Sequence, residues 1–146
     1  RLLHDTVAEC KSAVIASVAA PVEQRASRML ARVVGPRLGN LRIRQDFVPE
    51  AVAPELASNP VDLSNLSGGE QEQLFLIARL ALADVLAREQ RQMVVLDDVL
   101  NATDSGRHAR LLNLLEEVSE RLQVVILTCH PERYRALGEA EFFELS

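Results

Sequence analysis

Ser67 opens the segment whose residue types and spacing best suit the binding of an anion. Glu70 follows three residues later, which is the spacing of a capping box, so Ser67 is predicted to cap a long apolar helix. Gly68 and Gly69 lie between them and leave the amides of the first turn uncovered by side chains. Such a helix start presents free N–H groups and the positive end of the helix dipole, which suit a phosphate group. The simpler interpretation is a capping box without a ligand.

Two adjacent carboxylates, Asp97 and Asp98, follow a short apolar run at residues 93–96. This is the shape of a Walker B strand, whose first carboxylate holds Mg²⁺ beside nucleotide phosphates, usually through water. Asp97 suits that position, and Asp98 suits a general base that polarises the attacking water. Taken alone, the same pair also fits a helix cap or a solvated turn.

Two further polar positions follow along the chain. Asp104 ends a loop at residues 101–104, and either Asp104 or Ser105 is predicted to cap the next helix. His130 follows a second apolar run at residues 124–127. A neutral imidazole there could hydrogen-bond a γ-phosphate, although a lone histidine is more often structural or exposed.

These positions require an α/β architecture. The apolar runs 93–96 and 124–127 flank a segment with apolar residues at the helical period, which predicts a right-handed βαβ unit in a parallel sheet. Because the runs are apolar throughout, both strands are expected to be apolar on each face, as in a parallel sheet. Ligands bind beyond the carboxyl ends of parallel strands, where Asp97, Asp98 and His130 are expected to lie.

The remaining elements are predicted from periodicity and from the placement of proline. We expect helix over residues 5–34 interrupted at Pro21, a strand at 41–48, a proline-rich loop at 49–65, a buried helix at 74–87, a short helix at 132–137, and a final strand at Phe142 and Phe143.

Composition describes one ordinary globular domain. The chain has 146 residues, of which 48% are hydrophobic and 25% charged, and its formal net charge is −5. These values exclude a disordered tail and a nucleic-acid binder whose affinity comes from overall positive charge. No apolar run reaches the roughly 18 residues of a membrane span. Cys10 and Cys129 offer neither a disulfide framework nor a metal-ligand spacing, so we expect a cytoplasmic protein.

Together and in this order, the motifs from Ser67 to His130 resemble the C-terminal half of an ABC-type ATPase head of the SMC, RecF, RecN and SbcC class. The strings Val-Leu-Asp-Asp-Val-Leu and Thr-Cys-His-Pro resemble most closely the YhaN-like and RecF-like branch. The matched parts are the signature motif at 66–71, the Walker B strand at 93–98, the D-loop at 101–104 and the switch histidine at His130. Residues 41–146 resemble the C-terminal lobe of the head, and residues 1–40 resemble the root of the family's coiled coil.

The resemblance implies an ATPase that binds ATP and Mg²⁺ between two heads and acts in DNA repair or chromosome maintenance. ATP binding would close the two heads, and hydrolysis would reopen them. Asp97 would bind Mg²⁺, whereas Asp98 and His130 would act on the ATP of their own head. Asp104 would lie at the seam between the heads. The signature residues would contact ATP held by the partner head: Ser67, Gly68, Gly69, Glu70 and Gln71.

Two features depart from this family pattern. No Gly-x-x-x-x-Gly-Lys-Ser/Thr stretch is present, and Lys11, the only lysine, lies in a helical segment without nearby glycines. In the family the P-loop belongs to an N-terminal lobe, so we expect this chain alone to bind ATP weakly and to hydrolyse none. Absence of that lobe should also leave apolar patches exposed. Asp98 stands where the family usually has a glutamate, which predicts slow turnover.

Two other functions remain open. The nucleotide-binding domain of an ABC transporter shares the signature, Walker B and histidine motifs, although the helical start and Asp98 favour the SMC-like class. A head that binds nucleotide only to dimerise and scaffold its partners is the non-enzymatic alternative. DNA binding, which would place the protein at the nucleoid, rests on the family resemblance. Six arginines near the helical root could touch a phosphate backbone or form an ordinary solvated face: Arg25, Arg28, Arg32, Arg37, Arg42 and Arg44.

Overall fold

The structure is a computed structural model that describes residues 2–55, 59–88, 90–100 and 103–145. Its helices are α1 (Leu2–Val34), α2 (Gly68–Leu86) and α3 (Ser105–Ser119), with short 3-10 helices at Leu63–Asn65 and Pro131–Tyr134. Its strands are β1 (Asn40–Ile43), β2 (Pro49–Ala53), β3 (Val61–Asp62), β4 (Gln92–Asp97) and β5 (Leu122–Leu127). The predicted α/β class is confirmed. Within the described residues, no helix combines the length and the apolar character that crossing a membrane requires.

Helix α1 runs without a break through Pro21, so the predicted division into two helices is wrong. A proline inside a helix removes one hydrogen bond and clashes with the preceding turn, at a cost of about 3 kcal/mol. The helix tolerates this because one face packs into the core from the next residue onward, with Val22, Ala26, Leu30 and Val33 fully buried. Tertiary burial therefore outweighs the local preference of the backbone.

The chain after α1 forms a three-stranded antiparallel sheet in the order β1–β2–β3. The strand predicted at 41–48 ends already at Ile43, where the chain turns back on itself. The prediction of a loop at 49–65 is wrong, because this segment contains β2 and β3. Its prolines lie at the ends of the strands, with Pro49 opening β2 at the point where the register slips and Pro54 following its last residue. Proline is compatible with a sheet at such positions.

Strands β4 and β5 pair in parallel with α3 as their crossover, which confirms the predicted βαβ unit. The inner face of the pair packs on α2 and α3, where Val94, Leu96 and Leu122 are buried. The two strands end at the same edge because Asp97 lies opposite Leu127 in the register. This shared edge is the place that the sequence predicted for the site.

The other side of the strand pair, here called the outer face, consists of Met93, Val95, Val125 and Leu127. Met93 is 63% exposed, Val95 42% and Leu127 43%. The expected exposed apolar patch is therefore confirmed on this face. Large apolar side chains that share one face of a sheet mark a surface which another element normally covers.

The last part of the chain is less regular than predicted. The helix expected at 132–137 is a short 3-10 helix at Pro131–Tyr134. No strand forms at Phe142 and Phe143 in the described residues, and their side chains are 53% and 80% exposed. Two adjacent aromatic residues do not make a strand without a neighbouring strand to supply the hydrogen bonds.

Asp84 is a buried carboxylate of α2 that joins three helical regions. It accepts hydrogen bonds from Nε of Arg25 in α1 at 2.5 Å and from Nε of Arg121, just after α3, at 2.6 Å. Burial by itself raises the pKa of Asp84, but the hydrogen bonds and charges of Arg121 and Arg25 outweigh it and hold the pKa below the ordinary value of 3.8. Glu117 extends the cluster by pairing with Arg25 and with Arg32.

Replacing Asp84 with Asn should destabilise the fold, because it leaves two guanidinium groups beside a neutral amide. We expect a loss of about 1–3 kcal/mol in the free energy of unfolding, less than for a fully buried pair because both arginines are partly exposed. Urea unfolding at neutral pH measures the loss. The matched control is Asp46→Asn, which breaks the exposed pair with Arg44 and should change the free energy of unfolding much less. Equal losses would contradict a special role for Asp84.

The same pair of proteins tests the pH dependence. Since the folded state lowers the pKa of Asp84, its contribution is fully present above the unfolded-state pKa and is lost as the pH falls through the folded-state pKa. The stability difference between the wild type and Asp84→Asn should therefore narrow below the ordinary value of 3.8. A difference that stays constant down to about pH 2 would contradict this assignment.

Candidate active site

The start of α2 has the geometry that the sequence predicted. Ser67 is the N-cap, with φ −63° and ψ 153°, and its Oγ accepts a hydrogen bond from the backbone N–H of Glu70 at 3.4 Å. The Glu70 carboxylate in turn accepts from the Ser67 backbone N–H at 3.1 Å and from the Ser67 hydroxyl at 2.8 Å. The amide of Gln71 adds a bond from Nε2 to the Leu66 carbonyl at 3.0 Å. The predicted capping box is confirmed.

This helix start is open to its surroundings. Ser67 and Gly68 are exposed, and a side chain at Gly68 would meet no atom within 4 Å. Glu70 carries a second contact, an ion pair with Arg37 from the segment after α1. The ion pair with Arg37 thus fixes Glu70, whereas Ser67 and Gly68 remain exposed. Contact with a ligand on another molecule requires such exposure.

Asp97 and Asp98 end β4 in different backbone states. Asp97 is the last strand residue, is exposed, and lies on the same side as the outer-face residues Met93 and Val95. Asp98 has a φ of 46°, in the left-handed region, and donates its backbone N–H to the Leu127 carbonyl of β5 at 2.8 Å. A non-glycine residue in this region costs roughly 1–3 kcal/mol and persists only where neighbouring contacts fix it.

Thr128 links Asp98 to the turn after β5. The Thr128 hydroxyl donates to Oδ1 of Asp98 at 3.4 Å and accepts the backbone N–H of His130 at 2.9 Å. The Cys129 thiol lies 3.9 Å from the same Asp98 oxygen. The structure therefore brings Asp98 and the turn at residues 128–130 together at one edge of the sheet.

The imidazole of His130 is half exposed, at 52% of its side-chain surface. Its Nδ1 lies 3.3 Å from the carboxylate of Glu132. A carboxylate beside one ring nitrogen orients the ring and leaves Nε2 for another partner. A contact between His130 and a γ-phosphate stays a prediction.

The loop after Asp98 is fixed by groups that the sequence reading missed. Leu100 has a φ of 72° and a fully buried side chain, and its backbone N–H donates to Oε1 of Glu72 in α2 at 2.7 Å. Its carbonyl accepts from the Arg133 guanidinium at 2.7 Å, and the Val99 carbonyl accepts from the Tyr134 hydroxyl at 2.6 Å. These three hydrogen bonds and the buried Leu100 side chain hold a strained segment next to Asp98. The available signal was weak: Tyr134 is the only tyrosine of the chain.

Tyr134 lies close enough to the carboxylates of Asp98 and Glu72 for both of them to affect its pKa. Burial raises the pKa of Tyr134 above its ordinary value of 10.0, against the opposing charge of Arg133. The carboxylates of Asp98 and Glu72 both raise the pKa further. The phenol is therefore held in its neutral form, which can donate to the Val99 carbonyl.

Asp104 is the N-cap of α3, so of the two predicted caps, Asp104 and Ser105, the first is the one that forms. Its Oδ1 accepts the backbone N–H of Arg107 at 3.0 Å, and its Oδ2 lies 3.2 Å from the Arg107 guanidinium. The backbone hydrogen bond from Arg107, followed by charge attraction, lowers the pKa of Asp104. Two residues of the predicted D-loop, Asn101 and Ala102, lie outside the described residues. A place for Asp104 at a seam between heads stays a prediction.

Asp97 is compatible with a magnesium ion that nucleotide phosphates also hold. In the described parts of the chain, no three His, Cys, Asp or Glu side chains converge so as to hold a metal by themselves. Mg²⁺ usually keeps several waters and binds through one or two carboxylates together with substrate phosphates. An exposed carboxylate at the end of β4 fits that mode of binding.

Comparison with known proteins shows which solved structures share this fold. A structure from work on ATP-driven dimerization and DNA-stimulated activation of SMC ATPases superposes with a TM-score of 0.64 at 17% identity, covering 88% of this chain and 78% of that chain. The SMC head domain from Thermotoga maritima gives a TM-score of 0.58 at 21% identity, covering 88% of this chain and 45% of the other. This chain has the fold of part of an SMC ATPase head. The matched part of this chain thus covers less than half of the T. maritima head domain.

Sequence relatives are much longer than the segment. An uncharacterized protein of Mycobacterium tuberculosis is 31% identical over 150 residues, which cover 99% of this chain and 16% of that protein. The DNA double-strand break repair Rad50 ATPase of Methanocaldococcus jannaschii is 32% identical over 92 residues, covering 63% of this chain and 9% of that protein. This chain therefore spans less than a fifth of the length of these relatives. No family model matches it.

The two adjacent aspartates allow a direct test of the backbone strain. Asp98→Gly should be neutral or stabilise the fold by up to about 1 kcal/mol, because glycine adopts a positive φ without steric cost. Asp97→Gly should destabilise the fold by about 1 kcal/mol, because it weakens a regular strand. Unfolding of both variants under identical conditions gives the comparison. Equal losses at the two positions would mean that Asp98 carries no backbone strain.

Proposed function

We propose that this chain is the C-terminal lobe of an SMC-type ATPase head, which binds ATP and Mg²⁺ between two heads. The observation that carries the proposal is the meeting of Asp97, Asp98 and the turn at residues 128–130 at the common end of two parallel strands. The exposed capped serine at the start of α2 supplies a second phosphate-compatible surface. One lobe thereby offers parts of two different pockets.

The residues divide between these pockets by their position. Asp97 would hold Mg²⁺, Asp98 would polarise the attacking water, and His130 would hydrogen-bond the γ-phosphate of the same nucleotide. The signature residues at 67–71 contact the nucleotide of the opposing head through backbone N–H groups and the Ser67 hydroxyl. Asp104 lies where the two heads meet. Closure of the heads upon ATP binding and reopening after hydrolysis follow from this division.

The lobe also requires the P-loop lobe of its own head. The outer face exposes Met93, Val95 and Leu127, and Asp97 lies on the same side of the sheet. A P-loop lobe that covers these apolar side chains brings its nucleotide phosphates beside Asp97, which explains why the patch and the carboxylate share one face. Lys11, the only lysine, lies within α1 and cannot replace a P-loop lysine.

The relatives favour an SMC-like role over transport. The matching structures are named as SMC ATPases and an SMC head domain, and one sequence relative is named as a DNA repair ATPase. We infer that the complete protein acts on DNA in repair or chromosome maintenance, in the cytoplasm or at the nucleoid. A head that binds nucleotide without hydrolysing it is the alternative that turnover measurements decide.

The first test compares the isolated chain with the complete protein. The isolated chain should release no phosphate from ATP, and calorimetry should find no tight Mg²⁺-dependent binding, because the P-loop is lacking. In the complete protein, Asp98→Asn should lower turnover by at least about a hundredfold. It should also trap an ATP-bound head dimer, which size-exclusion chromatography detects. Asp46→Asn, on an exposed pair with Arg44, is the control and should behave as wild type. Unchanged turnover in Asp98→Asn would remove Asp98 from the role of base.

Most of the arginine cluster is already neutralised within the chain, which limits its contact with DNA. Five of the six arginines form ion pairs with Asp or Glu: Arg25, Arg32, Arg37, Arg42 and Arg44. Arg28 is exposed and has no ion pair in the described part of the chain. A backbone contact to DNA would therefore depend on Arg28 more than on its neighbours.

Arg28→Glu in the complete protein should weaken duplex binding and reduce the salt dependence of the affinity by about one phosphate contact. The matched control is Arg88→Glu, the same charge change at an exposed position beyond the far end of α2. Fluorescence anisotropy at several salt concentrations measures both. Equal affinities and equal salt slopes for the two variants would show that this part of α1 does not contact DNA.

A further inference from the structure

Glu72 and Gln73 lie one turn beyond the capped serine and face the loop after β4. Both belong to α2, the helix that begins at the Ser67 cap. Glu72 accepts the Leu100 backbone N–H at 2.7 Å, and Gln73 reaches the Thr103 hydroxyl through Nε2 at 3.4 Å. One rigid helix therefore carries the signature serine at its start and holds the segment that follows Asp98.

The bond from Leu100 to Glu72 acts on a segment with little freedom. Leu100 and Asp98 both have positive φ and are separated only by Val99, whose carbonyl is held by Tyr134. Such conformations persist only while the surrounding contacts fix them. Loss of the Glu72 acceptor would leave the Leu100 N–H without its partner and release one of the contacts that fix Asp98.

The same region has unused hydrogen-bonding capacity. Gln73 is only 2% exposed, yet its Oε1 has no hydrogen-bond partner in the described structure. The buried Nε2 of His108 and Nε of Arg133 are likewise without partners there, and both residues neighbour Tyr134. Buried polar groups are normally satisfied, so each of these three atoms can take a further hydrogen bond.

We propose that Glu72 and Gln73 are positioning residues that couple the two nucleotide pockets of a head dimer. A phosphate that engages Ser67 belongs to the opposing head, whereas Asp98 serves the nucleotide of its own head. Displacement of the start of α2 reaches Leu100 through Glu72 and Thr103 through Gln73, and so adjusts Asp98. This inference rests on the proposed function and adds the route by which one pocket senses the other.

The test uses the complete protein with three variants. Glu72→Ala removes the acceptor and should lower kcat by about ten- to a hundredfold and make turnover non-cooperative in ATP, with KM unchanged within about twofold. Glu72→Gln keeps an oxygen that accepts the Leu100 N–H and should restore most of the rate and the cooperativity. Glu120→Ala, at an exposed position beyond α3, is the matched control and should behave as wild type.

Mixed dimers distinguish positioning from a general loss of structure. One head carries Asp98→Asn, so that only the pocket served by the other head's Asp98 turns over. Glu72→Ala should lower the remaining turnover by about ten- to a hundredfold when placed in the active head and leave it unchanged when placed in the Asp98→Asn head. Equal effects in both placements would overturn the coupling route.

Two further results would overturn the inference. They are wild-type kcat and cooperativity in Glu72→Ala, and equal loss in Glu72→Ala and Glu72→Gln. If Glu72→Ala does not fold, Thr103→Val removes the Gln73 contact instead and should reduce cooperativity with binding of ATP retained. Asp98→Asn measured in parallel separates the two proposals: if it leaves turnover intact, the proposed function fails, whereas if it abolishes turnover and Glu72→Ala does not, only the coupling fails.

Discussion

The burial of α2 is the constraint on which the other features depend. Leu74, Ile77, Leu80 and Ala81 are fully removed from solvent, so the helix has a single position between α1 and the parallel strands. Its first residue follows the capping serine. Its last third carries Asp84, which forms ion pairs with two arginines from different parts of the chain. A helix packed in this way moves as one unit. A displacement of its first turn therefore also displaces the residues that it contacts along its length.

The segment after β4 combines a strained backbone with satisfied backbone hydrogen bonds. Asp98 and Leu100 adopt backbone conformations that side-chain-bearing residues avoid, and each lies beside a strong hydrogen bond to a fixed partner. A residue placed in this way is held more narrowly than a residue in a relaxed turn. Narrow placement suits the general-base role proposed for Asp98, because small displacements of an attacking water cost a large part of the rate.

Much of this architecture could be predicted from local patterns. The capping box, the βαβ unit and the Asp104 cap follow from residue types at short spacing, and each was found where the pattern put it. The continuous α1, the strands at 49–62 and the contacts of Glu72 depend on residues far apart in the chain. No window of sequence shows that Val22 and Ala26 are buried enough to offset Pro21, or that Glu72 faces Leu100. The missing final strand at Phe142 and Phe143 has the same cause, since a strand requires a neighbour.

The outer face of the strand pair has a thermodynamic consequence. Its exposed side chains Met93, Val95 and Leu127 are apolar, and Asp97 lies at the end of β4 on the same side. Covering aliphatic surface near room temperature is driven by entropy and is accompanied by a large negative change in heat capacity. Union of this lobe with whatever covers that face will therefore weaken on cooling, so that the completed head is less tightly assembled in the cold than at moderate warmth.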